Sequence, residues 1–387
     1  SDARLYESAQ VLKAGRWRIF RTVTLPGAVY GIISAVMVAF ILVITDFGVP
    51  KVIGGNYNVL STDIYKEVVG QQNFSMGAVV SVVLLMPAVA AFLIDRQVKK
   101  RQRTAMSSQF VPYTPKKDRW VDLAALVYCS LIAIVTLGIV GMAQYASLVK
   151  FWPYNLSLTF DHYQFNVAGV GWENFFNSLK LAVAVSAFGT TAALIGAYTI
   201  EKSKTAPSLR TVVGGFSMIP IAVPGLVLGL SHLMFINHPD NPLQVLYGGF
   251  TILIASTIVH FYTVSHLTAT SALRQIDPEM EGVSLSLKVP LYKSFFRVTL
   301  PISIPVLLEI SIYLFLASMT TVSGIIFLYG SETKVASVAA IHLDEMGESA
   351  AAAAMGMLIV YACVIVRLLH LGFGAWLIRR SQAWRVR

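Results

Sequence analysis

Long apolar runs alternate along this chain with short polar connections. A membrane-spanning helix needs about 20 mostly apolar residues. Eight runs approach that length: 28–45, 76–94, 121–144, 179–199, 211–235, 248–266, 302–320 and 352–377. They predict eight helical spans. The connections alternate in charge. Segment 2–26 carries Arg4, Lys13, Arg16, Arg18 and Arg21, and segment 96–119 is dense in Lys and Arg. Segment 201–210 carries Lys202, Lys204 and Arg210, and segment 267–301 carries Arg274, Lys288, Lys293 and Arg297. The tail carries Arg379, Arg380, Arg385 and Arg387. The intervening connections hold only Lys51 and Lys66, Lys150, none, and Lys334 in turn. Lys and Arg concentrate on the cytoplasmic side of membrane proteins. The basic set, with both ends of the chain, is therefore expected in the cytoplasm, and eight spans satisfy the alternation without a break.

Composition agrees with an all-α, polytopic transmembrane bundle. Hydrophobic residues make up 56% of the chain and charged residues 13%, with mean hydropathy +0.66. A soluble domain carries about a quarter of its residues as charges. The net charge of +10 follows from the basic connections, so nucleic acid is not an expected partner and the lipid bilayer is. Cys129 and Cys363 both lie in apolar runs, which reads as packing and not as a disulfide or metal pair. Segment 96–120, with Pro112 and Pro115, reads as a cytoplasmic linker whose charges orient the chain and meet anionic headgroups. Trp152, Tyr154, Tyr163, Trp172 and Phe175 suit an outer membrane interface. Val59–Gly70 predicts a short helix capped by Ser61 or Thr62.

One segment occurs twice, 275 residues apart, each time leading into a span. Asp2–Pro26 and Asp277–Pro301 match without gaps at Asp2/Asp277, Leu12/Leu287, Lys13/Lys288, Phe20/Phe295, Val23/Val298, Thr24/Thr299, Leu25/Leu300 and Pro26/Pro301. A repeat of this kind means two copies of one structural unit, and in a membrane protein it suggests a pathway between pseudo-symmetric halves. The expected division is 1–95 as the C-terminal part of a first half, with a loop and two spans. The linker 96–120 follows, and 121–387 is a second half of six spans containing the loop 267–301. The second copy has four apolar runs upstream and the first has none. Further spans of the first half are therefore expected outside this sequence.

The repeated segment resembles the cytoplasmic EAA loop of ABC importer permeases. The residues that carry the resemblance are Glu7-Ser8-Ala9, Gly15 and Leu25-Pro26 in the first copy, and Glu281-Gly282 and Leu300-Pro301 in the second. Lys13 and Lys288 stand where that family usually has glycine, and Gly282 stands opposite Glu7. The resemblance implies two coupling helices that dock on a dimer of separate ATPase subunits. The proposed contact set is Glu7, Ala9, Leu12, Gly15, Leu25, Pro26, Glu281, Gly282, Leu287, Leu300 and Pro301. Helical spacing places Leu5 near Ala9, and Ala9 near Leu12 and Ala14, giving a small apolar face for a groove. The competing reading is an amphipathic helix resting on the membrane surface. Beyond the loop, Asp46-Phe47-Gly48-Val49-Pro50, Gly54-Gly55 and the TDIYKEVVGQQNF stretch are similar to fused-half permeases of the ferric-iron type, and closer still to 2-aminoethylphosphonate permeases. That resemblance implies a bacterial inner-membrane importer subunit served by an extracellular or periplasmic solute-binding protein.

Candidate pathway residues are Asp46, Pro220, Pro224, Gly225 and Glu309. The prolines and Gly225 interrupt one span, either to line a cavity or as a packing kink. Asp46 faces the pathway mouth or caps a turn. Glu309 faces a cleft, pairs with a neighbouring helix, or snorkels. Snorkelling is the simplest account of Arg367, and His260 and His266 read as polar groups near a cytoplasmic end. No phosphate-binding loop and no close metal-ligand spacing is present, so neither catalytic residues nor a cofactor or metal is expected. Energy must then come from a separate ATPase. Ferric iron, a polyamine, thiamine or an oxyanion remain open beside phosphonate as the solute. An ion-gradient transporter and a membrane-embedded enzyme are the alternatives from other classes.

Overall fold

The computed structural model describes residues 3–105, 118–165, 169–202, 207–276, 284, 286–287 and 289–381. Among them, seven helices are long and apolar enough to cross a membrane, and one bent helix pair brings the number to eight. A short helix α1 (Ala3–Val11) precedes the first span, α2 (Arg16–Thr45). Two short helices, α3 (Gly48–Ile53) and α4 (Leu60–Tyr65), connect α2 to the second span, α5 (Phe74–Ala105). The third span, α6 (Arg119–Leu148), is capped by Asp118, whose side chain accepts from the Trp120 amide at 3.1 Å. A hairpin of β1 (Val149–Phe151) and β2 (Asn155–Leu158) follows, with Val149 opposite Leu158. The hydrophobic pattern gave no sign of these strands, because apolar side chains are exposed on both.

The fourth span, α7 (Trp172–Lys202), packs against α10 (Phe250–Arg274) and α11 (Tyr292–Thr320). Small residues of α7 are buried: Ser178, Ala182, Ser186, Gly189, Ala193 and Ala197. A Cβ on Gly189 would stand 2.8 Å from Leu314 Cδ1. Ser186 Oγ donates to the Ser311 carbonyl at 2.9 Å. Close backbone approach and such hydrogen bonds hold helices together in lipid, where apolar burial gives little net drive. The run 211–235 does not form one helix. It divides into α8 (Pro207–Phe216), a 3-10 turn at Ile219–Ala222 and α9 (Gly225–Ile236), with a bend of 111°. The last elements are α12 (Ala336–Glu345) and α13 (Ser349–Ser381).

The short Val59–Gly70 helix is present, and its start corrects the expectation. Val59 is the N-cap, and Thr62 reaches back so that its Oγ1 accepts from the Val59 amide at 3.0 Å. Ser61 points elsewhere, to the Asp46 carbonyl at 2.5 Å.

The 275-residue spacing extends beyond the loops. The π-turn Phe20–Thr24 and the helix Leu25–Thr45 recur as Phe295–Thr299 and Leu300–Thr320. The shared Thr-Leu-Pro ending accompanies the turn in both copies. Pro26 and Pro301 have no amide to donate back, and a local π-turn accommodates the missing bond within a continuous helix. One core spans the inner and outer elements: Phe47, Ile64, Val68 and Leu84 cluster with Leu181, Leu226, Leu230, Leu253 and Leu314.

Candidate coupling surfaces and pathway

Helix α1 turns Tyr6 and Ala9 inward, where both are buried. The Tyr6 hydroxyl donates to Thr24 Oγ1 at 2.9 Å and ties α1 to the root of α2. Ala9 is therefore a packing residue of this chain and does not lie on an open docking face. Tyr6 and Ala9 lie one turn apart on the buried side. Leu5 and Leu12 flank Ala9 at the edge of that side and stay exposed, and Glu7 points away from it. Leu12 is 81% exposed, Leu5 and Val11 are exposed beside it, and Glu7 is exposed.

The helix ends at Lys13, whose φ is +51°. The Ala14 amide donates to the Ala9 carbonyl at 3.0 Å, and Lys13 to Gln10 at 2.9 Å. This left-handed ending is ordinarily made by glycine, which explains the residue type that the family pattern places there. Gly15 instead opens the next helix with extended dihedrals. Leu25 and Pro26 sit at the span root behind the π-turn, as do Leu300 and Pro301.

In the second loop Glu281 and Gly282 lie outside the described residues. Leu287 is 70% exposed, as its counterpart Leu12 is. Ser284 Oγ accepts from Ser294 Oγ at 3.2 Å, and the Val289 amide donates to the Ser284 carbonyl at 2.9 Å.

Pro220 is the second residue of the 3-10 turn of the broken span and Pro224 is the N-cap of α9. Gly225 sits in a tight junction: a Cβ there would meet Ser323 Cβ at 3.0 Å and His260 Cε1 at 3.1 Å. Gly229 packs against the carbonyls of Ser323 and Gly324. The break thus rests on the connection that follows α11. It also meets α5, because a Cβ on Gly77 would lie 3.7 Å from Leu230 Cδ2.

His260 corrects the sequence reading. Helix α10 runs on to Arg274, which puts His260 in mid-span beside the break. His232 Nδ1 lies 3.2 Å from Ser256 Oγ, which donates to the Gly324 carbonyl at 2.9 Å. His266 is buried and stacked on Tyr262, with ring centroids 5.4 Å apart. Periodicity shows that a position lies in a helix. It could not show that His260 meets Gly225 and Gly324, or that His232 reaches the Gly324 carbonyl through Ser256.

Asp46 ends α2, and its carbonyl accepts from Ser61. Glu309 is not brought to the break. Its carboxylate pairs with Arg367 of α13 at 3.3 Å, and Arg367 also lies 3.4 Å from His370 Nδ1. Arg367 therefore reaches a neighbouring helix and does not snorkel. At the 275-residue spacing Glu309 corresponds to Ser34 and His370 to Asp95. Ser34 donates to Asp95 at 2.5 Å. Each unit thus holds a polar cross-link between its two spans, direct in the first and reaching His370 through Arg367 in the second.

Sequence reasoning missed Lys51 and Glu345. Their charged groups are 2.7 Å apart, joining α3 to the end of α12. Lys51 lies over the Tyr65 ring at 4.7 Å, and the Tyr65 hydroxyl donates to Glu345 at 3.3 Å. Burial, and next the Glu345 carboxylate, push the Tyr65 phenol well above its ordinary range. The only sequence signal was a lysine in a connection otherwise poor in basic residues.

Residues 1–104 match the family described as "Binding-protein-dependent transport system inner membrane component". The chain is 25% identical over 385 residues to the ferric transport system permease protein FbpB of Actinobacillus pleuropneumoniae, covering 97% of this chain and 55% of that protein. It is 33% identical over 111 residues to the ferric transport system permease-like protein AfuB of Escherichia coli (strain K12), covering 29% of this chain and 89% of AfuB. A crystal structure of a bacterial ABC transporter involved in the import of the acidic polysaccharide alginate superposes with a TM-score of 0.55 at 18% identity. The superposition covers 66% of this chain and 95% of that one. The chain spans about half the length of the longer curated relatives it matches.

Proposed function

Because this chain belongs to the family of binding-protein-dependent inner-membrane transport components and is a multi-pass membrane protein, we propose that it forms the permease body of an ATP-driven importer. The observation that carries the proposal is the duplicated loop-to-span unit. Two π-turned span roots, 275 residues apart, each follow a loop with an exposed leucine, Leu12 or Leu287. A pair of equivalent handles is what a dimeric ATPase requires to act on two halves at once.

In this reading residues 1–95 belong to the first half and 121–387 form the second. The ATPase subunits sit under the basic loops in the cytoplasm. Leu12 and Leu287 seat in their grooves, Glu7 adds a polar contact, and Glu281 with Gly282 does so from the other loop. A solute-binding protein delivers its ligand on the opposite side. Closure of the ATPases then rocks the halves about the shared core and turns the pathway inward. Asp46 and the Pro220–Gly229 stretch belong to that pathway, since the break contacts α5 of the first half. Glu309 holds α11 to α13 instead.

The solute we assign is a phosphonate such as 2-aminoethylphosphonate, from the DFGVPKVIGG and TDIYKEVVGQQNF stretches. A second reading, ferric iron, is favoured by the names of the curated relatives. Co-purification with ATPase subunits tests the class. Calorimetry of the partner binding protein with 2-aminoethylphosphonate and with a ferric chelate decides the solute. Absence of any associated ATPase would remove the proposal and favour a gradient-driven transporter.

A further inference from the structure

The Lys51–Glu345 pair joins the parts of the chain assigned above to different halves, at the end away from the basic loops. The two side chains are only 18% and 33% exposed. Glu345 is the last residue of α12, with Asp344 beside it. Carbonyl dipoles at a helix C-terminus disfavour carboxylates there, so Glu345 gains from a cation supplied by another element. Lys51, at the last turn of α3, supplies it. Tyr65 completes the arrangement by stacking under the ammonium and donating to the carboxylate.

The pair is present on one side of the repeat alone. At the 275-residue spacing Lys51 corresponds to Ile326, which is buried and apolar. At the spacing of α4 and α12, Glu345 corresponds to Val69. The shared architecture therefore does not require this contact; it has been added across one of two equivalent junctions.

Resting on the importer reading, we infer that Lys51 and Glu345 form a latch that holds the outer mouth closed and that must part when the permease opens to its binding protein. A contact biases a two-state equilibrium only if it exists in one state. Between partly buried groups an ion pair is screened less than at a free surface. Once the halves separate, both groups return to water, so the contact can be broken and remade in each cycle.

The test uses the intact permease with its ATPase and binding protein in proteoliposomes. Lys51→Cys with Glu345→Cys, in a Cys129→Ser and Cys363→Ser background, is treated with a bifunctional thiol reagent as long as the two side chains together. The expected result is rapid cross-linking without nucleotide, loss of transport, and at least ten-fold slower cross-linking after vanadate trapping. Lys51→Glu is expected to raise ATP hydrolysis without binding protein several-fold, and Lys51→Glu with Glu345→Lys to return it towards the starting value. Equal cross-linking in both states, no cross-linking in either, or unchanged basal hydrolysis in Lys51→Glu would overturn the latch. If the unmodified permease retained no ATPase, the importer reading would fall first and the latch with it, a result distinct from a coupled transporter with an insensitive cross-link.

Discussion

Ser337 Oγ donates a hydrogen bond to the carbonyl of Thr321 at 2.6 Å, and Ser61 makes the same bond to Asp46 at 2.5 Å. Thr321 and Asp46 follow the last residues of spans that begin at Leu300 and Leu25. In each unit, a buried hydroxyl on a short helix that follows, α4 or α12, closes the end of the span. The repeat is therefore carried by hydrogen-bond geometry at the outer ends as well as by sequence identity in the loops.

Removing either hydroxyl strands a buried carbonyl. A buried acceptor left without its partner costs about 1–3 kcal/mol. Ser61→Ala and Ser337→Ala are each expected to lower the thermal midpoint of the detergent-solubilised protein by several degrees. Midpoints equal to that of the parent protein would show that water replaces the hydroxyl.

Leu12→Asp and Leu287→Asp test the coupling surfaces. Both leucines are exposed, so the membrane body should fold unchanged. Burying an unpaired carboxylate in an apolar contact costs several kcal/mol, which predicts a loss of ATPase co-purification of about ten-fold or more. Ala9→Asp should behave differently, destabilising the α1–α2 junction itself. Normal transport by both leucine variants, with ATPase still bound, would refute the coupling role.

The junction at the broken span should resist enlargement. A methyl at Gly225 collides with Ser323 and His260, and overpacking of this kind costs about 1–3 kcal/mol. Gly225→Ala is expected to reduce transport, and Ser323→Gly in the same chain to restore part of it. Pro224→Ala should alter transport more than membrane insertion. Loss of the protein from the membrane, with no transport-specific defect, would mark the break as a packing kink.

The Glu309–Arg367 pair predicts non-additivity. Either partner alone leaves a charge in an apolar span, whereas removing both does not. Glu309→Gln with Arg367→Met should therefore be less damaging than Arg367→Met by itself, measured by yield of folded protein. Strictly additive losses would show that the two side chains do not interact.

Accessibility checks the orientation. A cysteine at Ser157 should react with an impermeant reagent from outside, and one at Ser107 in the linker only after the membrane is opened, with Cys129 and Cys363 replaced. Labelling of Ser107 from outside would invert the arrangement and move the proposed latch to the cytoplasmic side.

The sequence by itself determined the membrane class, the positions of the spans and the duplicated loop. Those properties are local: a run of apolar residues long enough to cross lipid, a bias in Lys and Arg, and a Thr-Leu-Pro ending that recurs at both span roots. It also marked the break, because Pro220 and Pro224 remove amides wherever the chain goes. Tertiary structure alone decided which faces meet. Ala9 and Leu12 share an apolar character, yet the bond from Tyr6 to Thr24 turns Ala9 inward and leaves Leu12 outside. His260 became a neighbour of Gly225 only because α9 packs on α10, and Arg367 found Glu309 only because α11 lies beside α13. The Lys51–Glu345 pair depends on residues almost 300 positions apart meeting across two elements. Helical period and charge fix what each residue could contact, and the packing of distant segments selects what it does contact.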